Sequence, residues 1–312
     1  MISRTRNVRI LVVVALGLGG CSSTASTTPA APARSDLRSW ISPDAKKSDL
    51  LYVADKNSLY IFTYPAGNRV GRIAVPGYTQ GICADRKGNV YVPSEEYDTI
   101  GVYAHGGTTQ VRMLSNPNED MIGCSVSPLT SDLAVIDAEG TKYAGGAVSI
   151  YRKAKGNPSV YMDSSMAEAR SGSYDGAGDI FVDGFDRSNN FVFAELPEKG
   201  VGFKTITLNE SIEDAGDVQW DGTYVTIGSK GAVYQTNGAG GEVVGMVTLN
   251  DTEGPTDYVV DSSGGTLVGS SGYESTAAVL LWPYPTGGNP TSTLTGFDLP
   301  FGVAISFARH RK

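Results

Sequence analysis

Three kinds of residue in this chain could do chemistry: a cysteine behind an apolar run, scattered carboxylates, and two further cysteines. Cys21 follows Leu18-Gly19-Gly20. Asp217 and Asp257 precede short apolar segments, and Gln80 stands in a similar place. Two carboxylates and one amide are a poor set for a single metal ion, which prefers more oxygen ligands. His105 and His310 are the two histidines, and His310 is the third residue from the end. That argues against zinc and against a Ser-His-Asp triad, and no G-x-S-x-G occurs.

Residues 1–20 have Arg4, Arg6 and Arg9 ahead of an apolar run from Ile10 to Leu18. A basic head, a short apolar stretch and a small-residue exit describe a secretory signal, and the run is too short to span a bilayer. Leu-Gly-Gly-Cys resembles the bacterial lipobox. The resemblance implies that Cys21 is diacylated, becomes the mature N-terminus and anchors the exported protein in the cell envelope. Ser22, where an Asp would favour inner-membrane retention, points to the outer membrane. Residues 21–48 are rich in Ser, Thr, Pro and Ala and read as a flexible tether. Its end, Trp40-Ile41, is expected to dock on the folded part. Removal of residues 1–20 takes three basic groups and no acid, leaving 22 basic and 33 acidic residues. A net charge of −11 argues against nucleic acid as a partner.

The elements that position the carboxylates come from a repeat. Gly81-Ile82-Cys83-Ala84-Asp85 leads through Gly88-Asn89 to Val90-Tyr91-Val92. Variants start at Gly123, Tyr174, Val218 and Tyr258, each leading through a polar turn to a second apolar burst. Taking the last Val of each burst as a marker (Val53, Val92, Val135, Val182, Val225, Val268) gives gaps of 39, 43, 47, 43 and 43 residues. Several short strands per 40–45 residues indicate propeller blades. Residues 49–308 therefore form an all-β, six-bladed β-propeller, and 309–312 a basic tail. The C-terminal strand is expected to complete the blade begun by residues 50–76, closing the ring. Aromatics of the third strands (Tyr103, Tyr151, Phe193, Trp282 among them) are expected to pack between blades. Cys83 and Cys124 fall on neighbouring inner strands; an exported protein can oxidise them, but a sheet spacing of about 10 Å favours free thiols.

The pattern P-x-G-h-x-x-D-x-x-G-N-h-Y-V resembles NHL-type repeats. With "SWISPDAKKSDLLYVAD", "DVQWDGTYV" and "LPFGVAIS", the chain is similar to secreted bacterial six-bladed propeller lipoproteins without assigned activity. That implies the fold and not a function.

In a four-stranded blade, inter-blade loops and second-to-third-strand loops emerge on one face. Those loops hold 17 acids, about half of the total, against five cations. Glu95, Glu96, Asp98, Asp137, Asp183, Asp186, Glu213 and Asp214 are the candidate ligand-binding residues. The expected ligand is cationic: Ca²⁺, for which Asp183–Asn190 is the best loop, or a basic protein segment. The expected function is a monomeric, lipid-anchored binding or scaffold module. The alternative is a propeller hydrolase or lyase of the lactonase type.

Overall fold

A computed structural model describes residues 38–118, 120–138, 145–250, 255, 257–271 and 277–308. Cys21 and the basic tail 309–312 lie outside them. The strands form six antiparallel sheets. Blade 1 contains β1 (Trp40–Ile41), β2 (Leu50–Asp55), β3 (Ser58–Thr63) and β4 (Arg69–Ala74). Blade 2 is β5 (Cys83–Ala84), β6 (Val90–Ser94), β7 (Thr99–Tyr103) and β8 (Gln110–Ser115). Blade 3 is β9 (Met121–Val126), β10 (Leu133–Asp137), β11 (Ala147–Tyr151) and β12 (Ser159–Met162). Blade 4 is β13 (Glu168–Tyr174), β14 (Ile180–Phe185), β15 (Phe191–Leu196) and β16 (Lys204–Ile206). Blade 5 is β17 (Val218–Trp220), β18 (Val225–Ser229), β19 (Ala232–Thr236) and β20 (Val243–Thr248). Blade 6 is β21 (Asp257–Asp261), β22 (Thr266–Ser271), β23 (Ala278–Pro283) and β24 (Ser292–Leu294).

The last strand, β25 (Pro300–Ser306), does not extend blade 6. It pairs with β2, Val53 opposite Val303, and becomes the inner strand of blade 1. The inner strands then touch in a closed cycle: β25, β5, β9, β13, β17, β21 and back to β25. This is the expected six-bladed β-propeller, closed by its C-terminal strand. On the outer edge of blade 1, β1 pairs with β4, Ile41 opposite Gly71. Trp40-Ile41 thus docks as expected, and it covers one of the open edges that blades leave.

Strand periodicity explains the core. Successive side chains of a strand point to opposite faces, so in β2 Leu50, Tyr52 and Ala54 pack toward blade 2 while Leu51 and Val53 pack toward blade 6. The buried apolar residues accordingly fall into six clusters, one in each gap between blades. Tyr103, Tyr151, Phe193 and Trp282 are buried in four different gaps, as expected of the third-strand aromatics.

The recurring Asp of the repeat is a turn former. Asp85 Oδ1 accepts the backbone N–H of Lys87 and of Asn89, each at 2.8 Å. Asp175, Asp221 and Asp261 accept backbone N–H groups of their own turns in the same way. Side-chain acceptance of this kind lets the backbone reverse. Gly81 serves a different need. Its N–H donates to Ile122 O at 2.8 Å, and a Cβ there would lie 2.7 Å from that oxygen. Neighbouring inner strands approach too closely for a side chain.

That approach corrects the expectation of free thiols. Cys83 and Cys124 form a disulfide between β5 and β9, with Cα atoms 5.6 Å apart. The spacing of about 10 Å holds for the bodies of stacked sheets. Blades converge toward the axis, and at the innermost strands the separation falls within disulfide reach.

Candidate functional site

The polar side chains at the loop-bearing end of the ring begin with the ends of the second strands. Asp55 accepts the backbone N–H of Asp298 at 3.0 Å and of Leu299 at 2.6 Å. Ser94 donates to Pro76 O at 2.9 Å. Asp137 accepts Nδ2 of Asn116 at 2.6 Å, Nδ2 of Asn118 at 2.7 Å and Oγ of Ser149 at 2.9 Å. In each case the side chain ties down the loop that enters its own blade. Burial pushes the Asp137 carboxyl up to about 6, against the pull of those three donors.

Asp183 breaks this pattern. It sits one residue earlier in its strand, and a one-residue step turns a side chain to the opposite face. It therefore points forward into the gap with blade 5, where blades 1 and 3 have Ala54 and Ile136. It is 0 % exposed, neither carboxyl oxygen has a hydrogen bond of ordinary geometry, and only the Ser171 N–H and the Arg170 charge favour its ionised form. Burial, and after it the charge of Asp217, raise its pKa well above the ordinary carboxylate value.

Asp217 and Asp257 open the inner strands of blades 5 and 6. Asp217 accepts the hydroxyl of Ser171 from blade 4, the amide Nε2 of Gln219 at 3.0 Å and the backbone N–H of Tyr258, in blade 6, at 2.8 Å. Asp257 accepts the backbone N–H of Val303, in blade 1, at 2.9 Å. Each carboxyl thus reaches forward to the next inner strand. The two carboxyls are close enough to influence one another, and Asp257 is raised well above its ordinary value by burial and then by the Asp217 charge. Gln80 lies elsewhere, donating Nε2 to Glu95. The two carboxylates and the amide singled out from the sequence are not brought together.

The candidate acidic residues divide by environment. Asp137 and Asp183 are wholly buried and belong to the framework. Glu95 is partly buried under Gln80, with its pKa raised chiefly by burial. Asp186 caps its own turn, accepting the N–H groups of Ser188 and Asn190 at 2.8 Å, and the Asn190 side chain holds its carboxyl low. Asp186 is partly exposed where Asp183, three residues earlier, is wholly buried. Among the described residues no group of three or more His, Cys, Asp or Glu is arranged to hold a metal ion. Glu213 pairs with Lys230 at 2.5 Å. Glu96 and Asp214 are exposed, and Asp98 is partly so, with a left-handed backbone after the Glu95–Tyr97 turn. Glu119, Glu139, Asp251, Glu253 and Glu274 lie outside the described residues.

Sequence reasoning missed the Asn116, Asn118 and Ser149 donors and the tyrosine rivets. Tyr64 donates to Asp261 at 3.2 Å and Tyr284 to Asp221, each across a blade gap. The duplicated "TYPAG" and "PYPTG" segments were the available signal, since each rivet tyrosine precedes the Pro of one copy.

No family model and no curated protein matches the chain. Among solved structures it is similar to a chain of the nidogen/laminin complex, at TM-score 0.68 and 13% identity, over 84% of this chain and 99% of that one. It is also similar to a protein of unknown function from Bacteroides caccae, at TM-score 0.60 and 14% identity, over 83% of this chain and 99% of that one. At such identities the likeness speaks for the fold. The class of protein is thereby defined as a six-bladed β-propeller.

Proposed function

We propose that this propeller is an exported, lipid-anchored binding or scaffold module of the bacterial cell envelope, held at the outer membrane through Cys21. Its acidic loop face takes a cationic ligand, best a basic protein segment. The observation that carries this reading is the distribution of charge on that face. Of its five cations Lys56, Arg170 and Lys230 are paired with an acid, Asp298, Glu168 and Glu213, Arg187 is exposed, and Lys142 lies outside the described residues. Glu96, Asp120 and Asp214 are exposed beyond those pairs. A field of one sign draws counter-charged partners and is weakened by salt. The Cys83–Cys124 disulfide supports an oxidising compartment. The similar chain from a nidogen/laminin complex is a precedent for this fold within a protein–protein assembly. The lactonase-type alternative is not favoured.

The test has two arms. Cys21→Ala should move the protein from membranes to the soluble exported fraction; identical partitioning of mutant and wild type would refute the anchor. Glu96→Lys, Asp120→Lys and Asp214→Lys together should abolish salt-sensitive binding of an oligolysine peptide in calorimetry. Unchanged binding would refute the acidic face.

A further inference from the structure

Asp183, Asp217 and Asp257 come from blades 4, 5 and 6 and are linked through their neighbours: Ser171, opposite Asp183 in the β13–β14 ladder, donates to Asp217, which also accepts the N–H of Tyr258, the residue after Asp257. The described charged groups around them do not balance three negative charges. Arg170, on β13, is exposed, bonded to Glu168 at 2.7 Å and stacked over Phe185. Asp214, on the loop before β17, adds a further negative charge near Asp183. From β21 comes the Tyr258 phenol, which shares a hydrogen bond with Thr226 and is kept neutral by burial. Isolated buried carboxylates are costly and neutralise instead.

Counting donors places the protons. Asp217 accepts from Ser171, Gln219 and Tyr258, with Ser171 itself oriented by the Val218 N–H. A carboxylate has about four acceptor sites, which leaves one open to the neighbouring Asp257 carboxyl. Two carboxyl groups can bond to each other only if one carries a proton. Asp217, with the donors, is the acceptor, and Asp257 is the acid. Asp183 has no hydrogen bond of ordinary geometry at either oxygen, and the Ser171 N–H and the Arg170 charge oppose its burial without outweighing it.

We propose that this cluster is a proton-binding site: one proton on Asp183 and one shared by Asp257 with Asp217 hold blades 4, 5 and 6 together, and their loss loosens the ring. The sign follows from linkage. The unfolded chain releases these protons near the ordinary aspartate value, whereas the native ring keeps them to higher pH. Their stabilisation is full below the unfolded value and is lost as pH rises through the native one. The cluster works in the opposite sense to an ordinary surface aspartate.

The experiment is thermal unfolding of the full-length protein between pH 5 and 9, for wild type, Asp183→Asn, Asp257→Asn and Asp217→Asn. Asparagine imitates a protonated aspartic acid. The Tm of wild type relative to Asp183→Asn should fall as pH rises, by roughly 3–5 °C per unit over which the group titrates only in the unfolded chain. Asp257→Asn keeps a donor toward Asp217 and should fold well. Asp217→Asn sets an amide against the Ser171 and Tyr258 donors and should be much less stable or fail to fold. Infrared spectra at neutral pH should show a protonated-carboxyl band that weakens in Asp183→Asn. A pH-independent Tm difference, equal damage from Asp257→Asn and Asp217→Asn, or an unchanged infrared band would overturn the proposal. So would Ca²⁺ raising the Tm of wild type and not of Asp183→Asn, since the cluster would then be a cation site.

Discussion

Asp137 and Asp183 have the same side chain and the same complete burial, yet different electrostatics. Asp137 faces backward onto its incoming loop and meets two amides and a hydroxyl. Asp183 faces forward and meets other acids. Asp137→Ala removes the acceptor of the Ser149 hydroxyl and leaves Asn116 and Asn118 only their second acceptors, Asn118 O at 3.3 Å and Ser149 Oγ at 3.0 Å. Each buried unsatisfied group costs about 1–3 kcal/mol, so a loss of about 1–3 kcal/mol is expected in urea unfolding. The variant should also lose a pH dependence. Burial raises the Asp137 carboxyl to about 6. Its proton-linked stabilisation is therefore present below pH of about 4 and disappears as pH rises through about 6. A difference curve between wild type and Asp137→Ala that climbs over this range would contradict the assignment. Both residues were picked from the sequence as acidic-face candidates. Their burial was not legible there, because it depends on which gap the side chain enters, and one position along a strand reverses that.

At the scale of the element, the disulfide joins two inner strands that share no backbone ladder. β5 has two residues in its ladder, and the covalent tie to β9 supplements it. The bond closes a loop of 41 residues in sequence. Chain-entropy arguments give about 4 kcal/mol for such a loop. Cys83→Ser with Cys124→Ser should lower stability by an amount of that order, and denatured, unreduced protein should show neither thiol reacting. Titration of both thiols would break the assignment. The positions of the two cysteines on neighbouring inner strands were readable from the repeat. Their distance was not, because repeat spacing carries no information on how far blades taper toward the axis.

For the whole molecule, the closing strand decides whether there is a ring. Val303, Ala304 and Ile305 of β25 are buried, and Phe301 packs edge-on against Tyr78 at 5.6 Å. Each buried large apolar side chain contributes roughly 1.5–3 kcal/mol. With the β2 ladder and the Asp257 bond to Val303, their loss approaches the about 5–15 kcal/mol by which a domain is stable. Truncation after Leu299 should therefore give protein that aggregates or fails to melt cooperatively. Truncation after Ala308 should be nearly neutral. The cut belongs there because the Ala308 N–H donates to Asp49 at 2.8 Å. A soluble, cooperatively melting chain ending at Leu299 would require a different closure.

The blade count, the closing strand and the third-strand aromatics followed from the sequence alone. They rest on local patterning, namely strands of alternating side chains and turns of Asp, Gly and Asn, repeated at a period that only stacking sheets around an axis can bury. The contacts between blades were decided by tertiary structure. The Asp217–Asp257 pair, the Tyr64 and Tyr284 rivets, the Cys83–Cys124 disulfide and the isolation of Asp183 all join residues 34 or more positions apart. They depend on the taper of the ring and on the face each side chain takes, and a single register step changes both the partner and the charge state.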